Sequence, residues 1–316
     1  MEKRGKSRRM FIKKAGILGI LAPLSTHSFG QFLQDDAPLD VHVFSKHLQF
    51  LDYKGAAESA AEIGFKGLDL SVRPKGHVLP ENVKLDLPKA IREIKKAGLS
   101  CEMITTAISD VANHEDVDVI KVAAEEGVKF YRSDWFDYKE SLSLEESLDY
   151  YKEKVKQLSE LNKEHNIVGC YQNHSGLKIG ASVWEVEKIL ETANPDFFGV
   201  QYDIRHAVVE GGRSWPNGIK LLRHHIKTIA LKDFKWGKVD GKWQIVNVPI
   251  GEGMVDFLSY FKMLKSYGLK PPVSLHLEYP LGGADKGKFE ITVDKKVVFN
   301  AMKKDLGAIQ NFWKEA

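Results

Sequence analysis

Short apolar runs alternate along the chain with longer stretches in which hydrophobic positions recur every three or four residues, the periods expected of strands and helices. The runs predict strands at Asp40 to Phe44, Lys66 to Val72, Ser100 to Thr105, Val128 to Ser133, Ile167 to Asn173, Phe198 to Asp203, Thr228 to Lys232 and Val273 to Glu278. Helices are predicted at Tyr53 to Ile63, Leu87 to Ala97, Val117 to Glu126, Leu144 to His165, Val183 to Ala193, Gly218 to His225, Phe257 to Tyr267 and Asp294 to Trp313. Eight such pairs, with strands too apolar for one wet face, fit a closed (β/α)8 barrel in a single domain, residues 31–316. Gly64, Gly98, Gly127 and Gly268 each end a helical stretch just before a strand, as a left-handed helix terminus requires. An open doubly wound sheet is the competing arrangement, and no Gly-x-Gly-x-x-Gly follows the first strand to favour it. One insertion, at about 234–248, carries the hairpin turn Asp240-Gly241 between Trp236 and Trp243.

Charge changes the picture at one end. The 316 residues carry 46 Lys plus Arg and 43 Asp plus Glu, but residues 1–30 hold seven of the basic residues and only Glu2 of the acidic ones. The remainder, with 39 basic against 42 acidic residues, lacks the footprint of a protein that binds phosphate backbones, so no nucleic-acid partner is expected. The longest apolar run, Ala15 to Leu24, is well short of the ~20 residues of a membrane-spanning helix, so no membrane span is expected. Basic residues followed by that run and then by Ser28-Phe29-Gly30 read as an export signal over residues 1–30. Ser7-Arg8-Arg9-Met10-Phe11-Ile12-Lys13-Lys14 resembles the twin-arginine motif, which implies the twin-arginine export machinery as a partner and a periplasmic or otherwise exported bacterial protein. Cys101 and Cys170 both lie in apolar runs and are expected as small core residues rather than as a disulfide framework.

In a barrel of this kind the chemistry sits where the strands end. Strand five ends Gln172-Asn173-His174, strand six Asp203-Ile204-Arg205-His206, strand seven Lys232-Asp233 and strand eight His276-Leu277-Glu278. Alternation along a strand puts Gln172 with His174, Asp203 with Arg205 and His276 with Glu278. This clustering of His, Asp, Glu, Gln and Lys favours a site for a polar ligand. His174, Arg205 and His206 offer donors and acceptors for such a ligand, and Trp236, Trp135 or Trp215 offers a ring face for its apolar side. His224, His225 and Asp233 read as surface or capping groups. No Gly-x-Ser-x-Gly, catalytic-Cys or Walker spacing is present.

These segments resemble the xylose-isomerase-like barrels, which include sugar isomerases, epimerases, a dehydratase and apurinic-site endonucleases. Tyr202-Asp203-Ile204-Arg205-His206-Ala207 is similar to their Asp-Thr-Gly-His-Ala, and Gln172-Asn173-His174-Ser175-Gly176 to their Glu-Asn-His-Gly. Ile226 to Asp233 resembles His-Val-His-Leu-Lys-Asp, and the likeness continues through Pro249 to Phe257. The resemblance implies a sugar-handling enzyme with one divalent cation held by Glu, Asp, His and Glu. Here Gln172 replaces the first Glu, Asp203 matches, Ala230 falls at the His position, and the last Glu falls on His276 or Glu278. A neutral amide is a poor ligand and no general base, so symmetrical two-base epimerisation is disfavoured. A rearranged site of Asp203, His276 and Glu278 with the Gln172 oxygen would suit Mn, Zn or Co.

The expectation is therefore an exported enzyme acting on a carbohydrate or polyol by proton abstraction beside a carbonyl. Glu278 or His276 would be the base, and Lys232 would hold an enolate oxygen or donate a proton. The alternatives are a carbohydrate-binding barrel without catalysis and a metal-free glycoside hydrolase using Asp203 and Glu278. The endonuclease branch conflicts with the acidic charge of the chain beyond residue 30.

Overall fold

A computed structural model describes residues 37–316, and the export signal expected over residues 1–30 lies outside them. The strands are β1 (Val41–Phe44), β2 (Gly67–Val72), β3 (Ser100–Thr106), β4 (Phe130–Arg132), β5 (Val168–Gln172), β6 (Phe198–Asp203), β7 (Ile226–Leu231), β8 (Asp233–Val239), β9 (Lys242–Val248) and β10 (Val273–Leu275). Eight of them close into a parallel barrel in the order β1-β10-β7-β6-β5-β4-β3-β2, and the pair Val41 and Val273 registers the closing seam. β8 and β9 form a separate antiparallel hairpin after β7, as the Asp240-Gly241 turn predicts.

The helices are α1 (Tyr53–Ile63), α2 (Val83–Lys96), α3 (His114–Glu125), α4 (Leu144–His165), α5 (Val183–Leu190), α6 (Ile204–Gly211), α7 (Trp215–Leu222), α8 (Phe257–Ser266) and α9 (Lys295–Glu315). Their starts follow the capping residues. Asp52 accepts from Gly55 N at 2.7 Å, and Ser143 and Glu146 close a reciprocal capping box on α4. Gly64, Gly98, Gly127 and Gly268 all sit at positive φ, the conformation their placement demands. Among the described residues no helix is long and apolar enough to cross a membrane.

Three differences from the sequence reading bear on the mouth of the barrel. The last strand stops at Leu275, because beyond the bond from His276 N to Leu231 O the chain leaves the ladder, so His276 and Glu278 stand on a loop. A single helix from Gly218 is replaced by α6 and α7, and α6 begins directly on the last residue of β6. The seventh strand starts two residues earlier, at Ile226.

Apolar side chains fill the space between barrel and helices, with Leu87, Ile91 and Ile94 of α2 and Val155 and Leu158 of α4 sealed from solvent. Cys101 and Cys170 are buried and free, as expected of core thiols. Inside the barrel the residues are unusually polar: Asp69, Thr105, Gln201, Thr228 and Ser274 are all buried. At the hairpin base, the Asp233 carboxylate accepts from the backbone N–H groups of Phe234, Gly251, Gly253 and Val255 at 2.8 to 3.2 Å. A methyl on Gly253 would lie 2.2 Å from an Asp233 carboxylate oxygen, so only glycine allows this approach.

Candidate functional site

The C-terminal ends of the barrel strands converge on one mouth. On its second half the residues lock together around Asp203. Its Oδ2 accepts from Gln172 Nε2 at 2.8 Å and pairs with Lys232 Nζ at 3.2 Å, while Oδ1 accepts from the His206 backbone N–H at 3.1 Å and so caps α6. Asn173 braces the same residue, donating from Nδ2 to its carbonyl and accepting from its N–H. Burial pushes the Asp203 carboxyl up, and Lys232 first among its neighbours pulls it back down.

Hydrogen bonds assign the histidine tautomers. Arg205 Nη1 donates to His206 Nδ1 at 3.0 Å, so His206 carries its proton on Nε2, which faces Asp203 Oδ2 at 3.6 Å. Ser274 donates to the buried Asp69 carboxylate, which also accepts from Thr105. With its single proton committed, Ser274 accepts from His276 Nε2 at 3.0 Å. His276 Nδ1 is therefore a bare lone pair, 3.7 Å from Glu278 Oε1. Burial lowers the His276 ring to about 3 and the His174 ring to about 4, and holds His206 well below the ordinary value, so all three are neutral at pH 7. His174 donates from Nδ1 to the Ser175 carbonyl, leaving its Nε2 lone pair open, and stacks between Trp135 and His206 at 4.4 and 4.0 Å.

Glu278 is the most exposed carboxylate of this group, at 29%. Its Oε1 lies 3.1 Å from Lys46 Nζ and 4.0 Å from Lys232 Nζ. Burial opposes its charge, but the ammonium groups of Lys232 and then Lys46 hold it well below the usual carboxylate range.

The structure thus brings Asp203, Lys232, His276 and Glu278 into one cluster and places Gln172, Arg205 and His206 behind it. The latter three are buried and bonded internally, Arg205 through Nη2 to Asn247 Oδ1 at 2.6 Å, so they shape the wall rather than face a ligand. Trp236 sits out on the hairpin, edge-on to Phe234, while Trp135 is the aromatic at the rim, with Arg132 over its ring at 4.2 Å. Asp233 is capping as expected, but buried.

The proposed ligand set for a metal does not assemble. Among the described residues no group of three or more His, Cys, Asp or Glu side chains is placed to hold an ion. Lys232 stands between Asp203 and Glu278, Lys46 engages Glu278 from the other side, Gln172 turns its NH2 to Asp203, and Ala230 offers no donor. A cation placed ~4 Å from one of these ammonium groups would meet about 4 kcal/mol of repulsion per unit charge at the dielectric of a protein surface. The donor set of Asp203, His276 and Glu278 therefore does not fit Mn, Zn or Co.

Sequence reasoning overlooked Lys46, Arg73, Arg132 and Asn247. Lys46 lies two residues beyond β1, Arg73 directly follows β2 and Arg132 ends β4, so the rule applied to the second half of the barrel, taking the polar residues where each strand stops, reaches them in the first half as well.

Residues 57–291 match the Xylose isomerase-like TIM barrel family. The chain belongs to that family. No curated protein matches it significantly. Among solved structures, D-psicose 3-epimerase with D-tagatose from Clostridium cellulolyticum H10 is similar at 13% identity and a TM-score of 0.65, covering 86% of this chain and 98% of that one. The probable 3-DHS dehydratase of petrobactin synthesis from Bacillus anthracis is 14% identical, with a TM-score of 0.64 and the same coverage. A Xylose isomerase-like TIM barrel protein from Mycobacterium smegmatis in complex with magnesium is 10% identical, with a TM-score of 0.63 over 87% of this chain and 97% of that one. At these identities the shared property is the fold, and the family's magnesium-bound member contrasts with the ammonium-filled mouth of this chain.

Proposed function

We propose that this protein is an exported sugar-modifying enzyme that removes a proton from the carbon beside a carbonyl, as an isomerase, dehydratase or lyase. The observation that carries the reading is Glu278, an accessible carboxylate with two ammonium groups within 4.0 Å of one oxygen. In the proposed step Glu278 takes the C–H proton, the electron pair moves into the enolate, and Lys232 holds the enolate oxygen. Return of the proton to the former carbonyl carbon, with the adjacent hydroxyl's proton passing to the enolate oxygen, completes an isomerisation; a β-hydroxyl that takes the proton back from Glu278 and leaves as water completes a dehydration. A carboxylate held this acidic is a weak base, so the ammonium groups must carry much of the stabilisation at the enolate. The names of the epimerase and dehydratase neighbours support this reaction class. A hydrolase reading is weaker, because Asp203 is sealed from solvent and both its oxygens are occupied by N–H donors.

The test is incubation of keto-sugars and keto sugar acids with the protein in D2O, read by proton NMR for loss of the C–H signal beside the carbonyl. Exchange by the parent that falls at least ~100-fold in Glu278→Gln is expected. Binding without exchange across the panel, or full exchange by the variant, would overturn the reading. Export is tested by fusing residues 1–36 to a reporter. Translocation lost on changing Arg8 and Arg9 to Lys is the expected result, and translocation that persists would point to a different route.

A further inference from the structure

The cations of the mouth are almost all matched. Lys232 pairs with Asp203, Lys46 with Glu278, and Arg205 donates to Ser175 and Asn247. Arg73 is the most open exception. It directly follows β2, its half-buried guanidinium lies 5.2 Å from the Phe44 ring centroid, and among the described residues no carboxylate, carbonyl or hydroxyl is bonded to it. Asp69, Asp134 and Glu278 shape its field from beyond ion-pairing distance. Asp69 is already occupied by Thr105 and Ser274, and Asp134 accepts from the Trp135 N–H.

A guanidinium has five donors and stays charged, so one half-buried at a barrel mouth without a protein acceptor turns its donors to an anion entering from solution. Lys46 Nζ lies 5.6 Å from the centroid of the same Phe44 ring and spends only one of its three donors on Glu278. Behind them Arg132 is 3% exposed, with Nε and Nη1 unbonded and only Nη2 donating, to the Thr106 carbonyl at 3.1 Å. The wall from β1 to β4 therefore sets Lys46, Arg73 and Arg132 against the carboxylates of Asp69 and Asp134, with guanidinium donors left unbonded, in contrast to the closed network around Asp203. The groups most open to a ligand, Lys46, Arg73, Asp134, Trp135, His174 and Glu278, include two cations and an aromatic ring.

We infer that this wall is an anion subsite centred on Arg73 and Lys46 above Phe44, and that the carbohydrate bound in the mouth carries a carboxylate or phosphate group. The carbohydrate part of the ligand rests on the function proposed above, whereas the anion subsite rests on Arg73 alone. Its anionic group would lie on the β1–β2 side, leaving the carbonyl end towards Lys232 and Glu278.

The test is isothermal calorimetry on the purified protein with D-glucuronate, glucose 6-phosphate, glucose and inorganic phosphate, repeated for Arg73→Gln and Arg73→Lys. At least tenfold preference for an acidic sugar over glucose is expected. Arg73→Gln should abolish the preference without changing glucose binding, and Arg73→Lys should keep part of it. Which of the first two ligands is preferred separates carboxylate from phosphate. Equal affinity for acidic and neutral sugars, or a preference that survives in Arg73→Gln, overturns the subsite while leaving the proposed enzyme intact. Conversely, an Arg73-dependent acidic preference without any C–H exchange in D2O keeps the subsite and removes the enzyme reading. Phosphate binding that needs Arg73, with no sugar bound, has the same meaning for the carbohydrate. No heat with any of the four ligands overturns the subsite. Should Arg73→Gln fail to fold, Arg73→Lys and Lys46→Gln carry the comparison.

Discussion

Asp203 holds one half of the mouth together because four N–H or ammonium groups point at its carboxylate, one from Gln172 at the end of β5, two from His206 in α6 and one from Lys232 just beyond β7. Its removal leaves the Lys232 ammonium, whose side chain is 6% exposed, without a counter-charge. Asp203→Ala is therefore expected to cost about 3 to 5 kcal/mol, measured by urea denaturation. Adding Lys232→Met to that variant should restore part of the loss, because the buried charge then disappears with its partner. Equal destabilisation in the single and double variants would show that the cap on α6, rather than the ion pair, carries the energy. The residues of this cluster were legible in the sequence because each ends an apolar run in a familiar motif. Lys46 and Arg73 were not, because they follow β1 and β2 with no motif around them, and their significance lies in what they fail to contact.

At the scale of elements, the eight barrel strands were legible because glycine stops and apolar runs alternate with helical periods. The short third dimension of that pattern was not. α6 was hidden because Asp203 is both the last residue of β6 and the N-cap of the helix, so no loop composition separates them. The end of β10 was hidden because His276 and Glu278 continue its alternation after the ladder has stopped. α9 closes the barrel over the N-terminal segment. Trp313 is 3% exposed, donates from Nε1 to the Ala37 carbonyl at 3.2 Å and meets Phe261 edge-on at 5.5 Å. Trp313→Ala should cost about 3 to 5 kcal/mol by urea denaturation, with little change in ligand affinity because the ring is remote from the mouth. A loss below about 1 kcal/mol would mean that α9 packs without depending on this side chain.

The whole molecule should weaken on mild acidification. Burial holds His47, His206 and His276 neutral in the fold, whereas the unfolded chain binds their protons below about 6.5. Each histidine with a lowered folded value costs the fold stability as pH falls through 6.5, on the order of 1 kcal/mol by pH 5.5. Asp69 and Asp305 act in the opposite sense. Burial raises both to about 6, so each favours the fold as pH falls from 6 towards the unfolded value near 4. At pH 5.5 each of these carboxyls has gained less than a histidine has lost, so the histidines decide the sign. Urea midpoints at pH 7.5 and 5.5 check this, and a midpoint that rises on acidification would contradict the assignment of the three rings as neutral. Asp233 gathers the backbone where the hairpin leaves and rejoins the barrel, so the seven-residue arms of β8 and β9 extend beyond a fastened base. The exposed Asp240-Gly241 tip is thus a natural socket, where an affinity tag or reporter domain can be spliced into the chain without its tension reaching the barrel seam.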